Sequence, residues 1–275
     1  MPQLICPVCG LLLTPEAKTY RCEKNHCFDC AKSGYVNLLP PAPGGKRHGD
    51  DKLMVKARTD FLDKGYYDPL AREIARQTAD CEGECLHIID AGCGEGKYIA
   101  DVLKHLAEQG RTADVVGIDI SREALICAAR RTKEPKFCVA STAHMPLAEG
   151  CADVVLNIFS PLMAEEFARV LKPGGRLICA VPLERHLWEL KALIYATPYE
   201  NPAPSVELNG FTLIGREDLR YEIELNSGAD ITNLFKMTPY YYKTGAADQQ
   251  KAERTDYLRT SVEFGVLVYR KSGEV

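Results

Sequence analysis

Nothing in the 275-residue sequence approaches the roughly 20 consecutive apolar residues that cross a bilayer, and the opening MPQLICPVCG has no basic stretch followed by an apolar run. The expectation is a cytoplasmic protein, neither secreted nor inserted in a membrane. An excess of one charge is also missing, since 34 Lys+Arg stand against 38 Asp+Glu for a formal net charge of -4. That balance excludes a protein that coats nucleic acid by bulk electrostatics. No internal repeat is visible, and with 46% hydrophobic and 26% charged residues the chain is not collagen-like, low-complexity or disordered. Its length suits one full α/β domain plus a smaller module.

Cysteine, by contrast, is abundant. There are 12, and Cys6, Cys9, Cys22, Cys27 and Cys30 fall in the first thirty residues. Without a leader the expected compartment is reducing, so these thiols are free or metal-bound. Cys6-Pro-Val-Cys9 puts two thiolates on a tight turn within reach of one zinc. The second pair has two readings, Cys22-x3-His26 or Cys27-x2-Cys30, and both cannot close the same four-coordinate site. A segment of under about 40 residues cannot bury enough surface to fold unaided, so the metal's first role is to fold it. Four protein ligands leave no open position for catalysis.

The Pro- and Gly-rich stretch PPAPGGKRHGDD disfavours helix and strand. The expected division is a zinc ribbon over 1–38, a linker over 39–52 and a main domain over 53–275. Residues 1–80 carry 12 Lys+Arg against 10 Asp+Glu, leaving the remainder at -6. This permits a nucleic-acid-facing N-terminal part with Lys18, Arg21, Lys24, Lys32, Lys46 and Arg47, or an ordinary solvated surface.

Past the linker, two helices are expected between Leu53 and Ala79, broken around Gly65 and Pro69. Strands are expected at Leu86–Asp90, Val115–Ile118, Phe137–Ala140, Val154–Phe159 and Arg176–Val181. Helices are expected at Tyr98–Leu106, Glu123–Arg131, Ala164–Leu171 and Leu187–Ile194. That alternation implies a parallel sheet covered on both faces. The closing text, FTLIGREDLRYEIEL, ITNLFKMTPYYYK and VEFGVLVYR, reads as β-rich and suits antiparallel strands added at the edge.

The first of these strands runs into a G-x-G-x-G loop, Asp90-Ala91-Gly92-Cys93-Gly94-Glu95-Gly96, that opens a helix. Glycines there let the backbone approach a ligand at the carboxyl end of a strand. The second strand ends at Asp119, where a carboxylate can accept both ribose hydroxyls. Together they favour an adenosine cofactor. Asp90 leading in and Glu95 inside the loop would repel a pyrophosphate and suit a cationic sulfonium, and the run LKPGG before the fifth strand points the same way. S-adenosylmethionine is therefore preferred over NAD. The fourth strand ends Asn157-Ile158-Phe159-Ser160-Pro161, beside the expected methyl group. There Asn157 either holds a planar acceptor or caps a turn, and Phe159 either stacks on a base or fills core. Tyr240-Tyr241-Tyr242-Lys243 reads as a stacking platform or as packing.

CPVC, AKSGYVNLLP, KARTDFLDKGYYDPL, DAGCGEGKY, LKPGG, RHLWELK and MTP run through nearly the whole chain. With them the sequence resembles the bacterial 23S rRNA (guanine-N1) methyltransferases that act on hairpin 35. The resemblance implies an α/β fold, a Rossmann-like class I S-adenosylmethionine methyltransferase domain behind a small N-terminal zinc ribbon. It implies zinc on Cys6, Cys9, Cys22 and His26, and cofactor contacts at Gly34, Tyr67, Gly94, Glu95, Asp119, Leu125 and His186, joining Asp90 and Gly92 of the loop. Asn157, Ser160 and Pro161 are the candidates for holding the base, the ribbon would recognise 23S rRNA, and a homodimer is implied. Two departures stand out: Lys97 occupies a position where an aromatic is expected, and the third strand, ending Ala140-Ser141-Thr142, offers no carboxylate to the adenine amine. The rival reading is a small-molecule S-adenosylmethionine methyltransferase with a structural ribbon.

Overall fold

A computed structural model describes residues 2–40 and 49–273, so most of the expected linker, with Lys46 and Arg47, lies outside the described residues. Strands β1 (Thr14–Glu16), β2 (Thr19–Arg21) and β3 (Cys27–Asp29) form a small antiparallel sheet, followed by β4 (Tyr35–Asn37). Helices α1 (Lys52–Leu62) and α2 (Asp68–Ala79) lead into β5 (Cys85–Ala91), α3 (Lys97–Glu108), β6 (Thr112–Asp119), α4 (Arg122–Arg131) and β7 (Lys136–Val139). Then come β8 (Ala152–Ile158), α5 (Ala164–Val170), β9 (Leu171–Pro182) and α6 (Trp188–Ile194). The chain closes with β10 (Phe211–Leu225), α7 (Gly228–Lys236), α8 (Pro239–Lys243), α9 (Ala246–Glu253) and β11 (Leu258–Lys271).

The large sheet has the order β10-β11-β9-β8-β5-β6-β7-β4. Strands β4 to β9 run parallel, and β11 pairs antiparallel with both β9 and β10. The pleat separates two cores: Ile88, Val115, Val154 and Ile178 face one, and Ile89, Val116, Val155 and Leu177 the other. Since β6 flanks β5 on one side and β8 on the other, the order reverses at β5, and open sheets of this kind bind ligands at the carboxyl ends of the strands at such a point. Helix α3 buries Ile99, Val102, Leu103 and Leu106, one stripe of its surface, and α4 starts where the Ser121 hydroxyl accepts from the Ala124 amide.

Two features depart from the sequence expectation. ITNLFKMTPYYYK is helical, forming α7 and α8: Ser227 caps Asp230 N, and Ile231, Leu234 and Phe235 fall on one buried helical face. Its aromatic and β-branched content imitates a strand, but the i, i+3, i+4 spacing decides. Tyr240–Tyr242 are therefore not a row on a strand. Second, β4 belongs to the large sheet, pairing Tyr35 with Phe137 and Asn37 with Val139. The N-terminal residues also join the main body where Ile5 N donates to Pro146 O at 2.8 Å and Ala148 N to Gln3 O at 2.9 Å. Leu4, Cys6, Cys22, Val36 and Leu38 share one buried cluster with Ile89, Val116 and Leu147.

Candidate metal and cofactor sites

The turn after Cys6 is closed by Gly10 N donating to Cys6 O at 2.8 Å, and the second turn by Asn25 N donating to Cys22 O at 2.8 Å. These turns bring together Cys6, Cys9, Cys22 and His26, whose ligand atoms all lie within 4.8 Å of one another. Cys6 Sγ and Cys22 Sγ lie 3.5 and 3.4 Å from His26 Nδ1, and Cys9 Sγ lies 3.7 Å from Cys22 Sγ. A tetrahedron with zinc–sulfur bonds of about 2.3 Å and a zinc–nitrogen bond of about 2.0 Å has edges of about 3.8 and 3.5 Å. The donor set and its spacing therefore fit zinc, through Nδ1 of the histidine. Cys27 is exposed and Cys30 half-buried, both outside the cluster.

At the switch point, Gly92 N and Cys93 N both donate to Ile118 O, at 2.8 and 3.0 Å, folding the glycine loop across the end of β6. Gly92 has φ of 88°, and a Cβ there would fall 2.3 Å from Ser160 Oγ, so the loop and the end of β8 touch only because this residue is glycine. Asp119 faces the loop, accepting from Gly94 N at 2.9 Å and from Ser121 N at 2.7 Å. Asp90 and Glu95 are 2% and 3% exposed. Burial, then the charges of Asp119 and Glu95, pushes the Asp90 carboxyl up to about 8. Burial likewise raises Glu95 and Asp119, with Arg58 of α1 acting against it. Two buried carboxyl groups, Asp90 and Glu95, with the part-buried Asp119 beside the loop, disfavour an anion and favour a cation.

The strap formed by Gly49 and Asp50 lies over this corner. Ser121 Oγ donates to Asp50 O at 2.6 Å, and Arg58 pairs with Asp50 at 2.6 Å, close to Gly94. Neither Arg58 nor Asp50 carried a local signal in the sequence, because their roles depend on α1 reaching the loop from outside the alternating strands and helices.

Tyr67, at the start of α2, packs edge-on to Phe61 and Phe264 at 5.2 and 4.9 Å. Among the described residues its Oη is the buried side-chain polar atom left without a hydrogen-bond partner. Such a group costs about 1–3 kcal/mol unless a ligand completes it, so the site fits a polar cofactor. His186 lies 6.2 Å from the Tyr67 ring and 4.6 Å from that of Phe264. Burial, reinforced by nearby Lys191, lowers its imidazole to about 3. Nδ1 accepts from Glu263 N at 3.2 Å, which leaves the neutral ring its proton on Nε2 as a donor.

Leu125 is fully buried behind the loop with Cys93 and Phe137, and the Gly34 turn packs on Ala129 of α4, where a Cβ would meet the Ala129 Cβ at 3.6 Å. Asn157 is buried and its Nδ2 donates to Pro161 O at 3.2 Å, so its amide caps the turn. Phe159 is exposed rather than core. The tyrosine row divides: Tyr240 is buried beside Lys191, while the hydroxyl of exposed Tyr242 donates to Asp51 at 3.0 Å. Lys97 pairs with Asp68 at 3.3 Å and with Asp101, so this departure from the expected aromatic makes an ion-pair bridge between α2 and α3.

A family model described as RlmA, N-terminal, matches residues 4–42, and one described as a methyltransferase domain matches residues 83–235. A 23S rRNA (guanine(748)-N(1))-methyltransferase of Streptomyces fradiae is 34% identical over 235 residues, covering 82% of this chain and 81% of that protein. A Micromonospora griseorubida protein provisionally named a 23S rRNA (guanine-N(1)-)-methyltransferase is 33% identical over 271 residues, covering 90% and 89%. Among solved structures, the YcgJ protein from Bacillus subtilis superposes with a TM-score of 0.51 at 13% identity, covering 76% of this chain and 100% of that one, a likeness of fold alone. With the ribbon and the methyltransferase domain matched in one chain and these identities running across most of its length, the protein belongs to the 23S rRNA (guanine-N1) methyltransferases, zinc-ribbon enzymes that use S-adenosylmethionine.

Proposed function

We propose that this enzyme methylates N1 of a guanine in hairpin 35 of 23S rRNA, in the cytoplasm and as a homodimer. The observation that carries the cofactor reading is the acidic group of Asp90, Glu95 and Asp119 at the glycine loop, where Asp119 accepts from Gly94 N, together with the unpartnered Tyr67 Oη. S-adenosylmethionine supplies a methyl group on a cationic sulfonium, which is also the leaving group. Asp119 takes the ribose hydroxyls, Tyr67 and the His186 Nε2–H reach the polar tail, and Leu125 and Gly34 support the adenosine side through α4. Cys6, Cys9, Cys22 and His26 hold zinc, making 1–38 a ribbon that presents the RNA, with 39–52 as linker and 53–275 as the catalytic domain.

Guanine N1 lies on the Watson–Crick edge, so the base has to be unpaired or flipped to react. N1 would then bond to the methyl carbon as the carbon–sulfur bond breaks, the sulfur leaving as the neutral thioether and the N1 proton passing to solvent water. His186 is unsuited to accept that proton, since its Nδ1 lone pair is taken by Glu263 N–H. Asn157 shapes the turn that carries Ser160 and Pro161 beside the base, and most of the rate comes from alignment of nucleophile and sulfonium. A primer-extension scan of unmodified 23S rRNA after incubation with protein and S-adenosylmethionine tests the reading, because an N1 methyl blocks pairing. One new stop in hairpin 35 is expected. No stop from protein with confirmed zinc and cofactor binding would move the assignment to a small-molecule methyltransferase.

A further inference from the structure

We infer that Phe159 is the platform on which the target purine stacks during transfer, an inference that rests on the RNA substrate proposed above. Phe159 has φ of 53°, in the left-handed region where bulky side chains are rare. Glycine would take that conformation freely, so the ring stands there against the preference of its own backbone. Such residues persist where their surroundings over-determine them, and they cluster at functional sites. The surroundings here are specific: Phe159 N donates to Ala180 O at 3.1 Å, Asn157 Nδ2 holds Pro161 O, and Ser160 is wedged against Gly92.

Phe159 as a residue is 46% exposed, yet its ring is not loose. It leans on the fully buried Phe264 at a centroid distance of 5.2 Å and on Tyr98 at 6.4 Å. Phe264 in turn packs on His186 and Tyr67, so one continuous aromatic wall runs from the cofactor side to Phe159. Leu162, 47% exposed, extends an apolar ledge along the same loop. A core role would bury the ring, and a solvated role would not need a strained backbone beside the cofactor loop. A rigid, half-open aromatic one residue from the group touching Gly92 is what a flipped base requires, since base and ring can stack while the Watson–Crick edge stays free to meet the methyl group.

The test compares wild type with Phe159→Gly, Phe159→Leu and Phe159→Tyr in the full-length zinc-loaded protein, measuring S-adenosylmethionine affinity by calorimetry and methyl transfer to unmodified 23S rRNA. The expected result is cofactor affinity within about twofold of wild type throughout, kcat/KM for rRNA down about 10- to 100-fold in the Gly and Leu variants, and near-wild-type transfer by Tyr. Leu keeps apolar bulk against Phe264, so a folding defect confined to the Gly variant does not obscure the outcome. Transfer by the Leu variant within about threefold of wild type, or a parallel loss of cofactor binding, overturns the stacking role. If wild type itself leaves rRNA unmethylated, the RNA reading fails, and this proposal with it.

Discussion

Asp119 accepts from two backbone amides that shape the loop and still has lone pairs to offer a ribose. Asp119→Ala is expected to weaken S-adenosylmethionine binding about 10- to 100-fold, because charge-assisted hydrogen bonds are lost together with the loop's anchor. An unchanged dissociation constant would remove the ribose assignment. Asp90 carries a pH dependence. Its carboxyl, near about 4 in an unfolded chain, stands at about 8 in the fold through burial and the charges of Asp119 and Glu95. The folded protein therefore keeps a proton that the unfolded chain gives up, contributing stability that is whole below about pH 4 and lost as pH rises through about 8. A cation bound beside it favours the carboxylate, so cofactor affinity should rise between about pH 6 and pH 8 with release of a proton. Calorimetry in buffers of different ionisation enthalpy measures that proton, and an Asp90→Asn variant with an unaltered pH profile would refute the assignment.

At the level of elements, the turn between α1 and α2 that carries Tyr67 is held from far away in the chain. Asp230 of α7 pairs with Lys64 at 2.5 Å and accepts from Tyr66 Oη at 3.0 Å, while Tyr221 of β10 donates to Tyr66 O at 3.1 Å. The added C-terminal elements thus position Tyr67, which is proposed above to meet the cofactor. Asp230→Ala should cost about 1–2 kcal/mol in chemical denaturation, less than a fully buried pair because Lys64 is half exposed. It should also raise the KM for S-adenosylmethionine more than it lowers kcat. Equal effects on both constants would mean that α7 only stabilises the fold.

At the scale of the whole molecule, the ribbon and the catalytic sheet share a core. Cys6 and Cys22 are buried with Ile89 and Val116, and Tyr35 and Leu39 pack on the Cys93, Leu125 and Phe137 cluster behind the glycine loop. Removing zinc should therefore lower the melting temperature by several degrees, and it should weaken S-adenosylmethionine binding in the absence of any RNA. Scanning calorimetry and a cofactor titration on chelated protein, with metal loss verified, check both. Retained cofactor affinity in zinc-free protein would show a ribbon that serves RNA recognition alone.

What could be read from the chain was local. The glycine loop, Asp119, the strand and helix alternation and the metal-ligand pairs each show in short runs of consecutive residues, and the family resemblance rests on such runs. Composition misled at 231–243, where Thr, Ile and Tyr imitate a strand and only packing of Ile231, Leu234 and Phe235 on one buried face makes the helix. Strand β4 is three residues long, too short to announce itself, and exists as a sheet member because β7, a hundred residues later, presents an unpaired edge. The choice of Cys22 and His26 over Cys27 and Cys30 was implied by resemblance alone, and the fold brings the ligand atoms of Cys6, Cys9, Cys22 and His26 within 4.8 Å of one another. The sequence by itself determined which chemistry the chain carries. The tertiary structure decided which groups share one site, because burial, an orphaned hydroxyl and a strained aromatic are properties of neighbours distant in sequence.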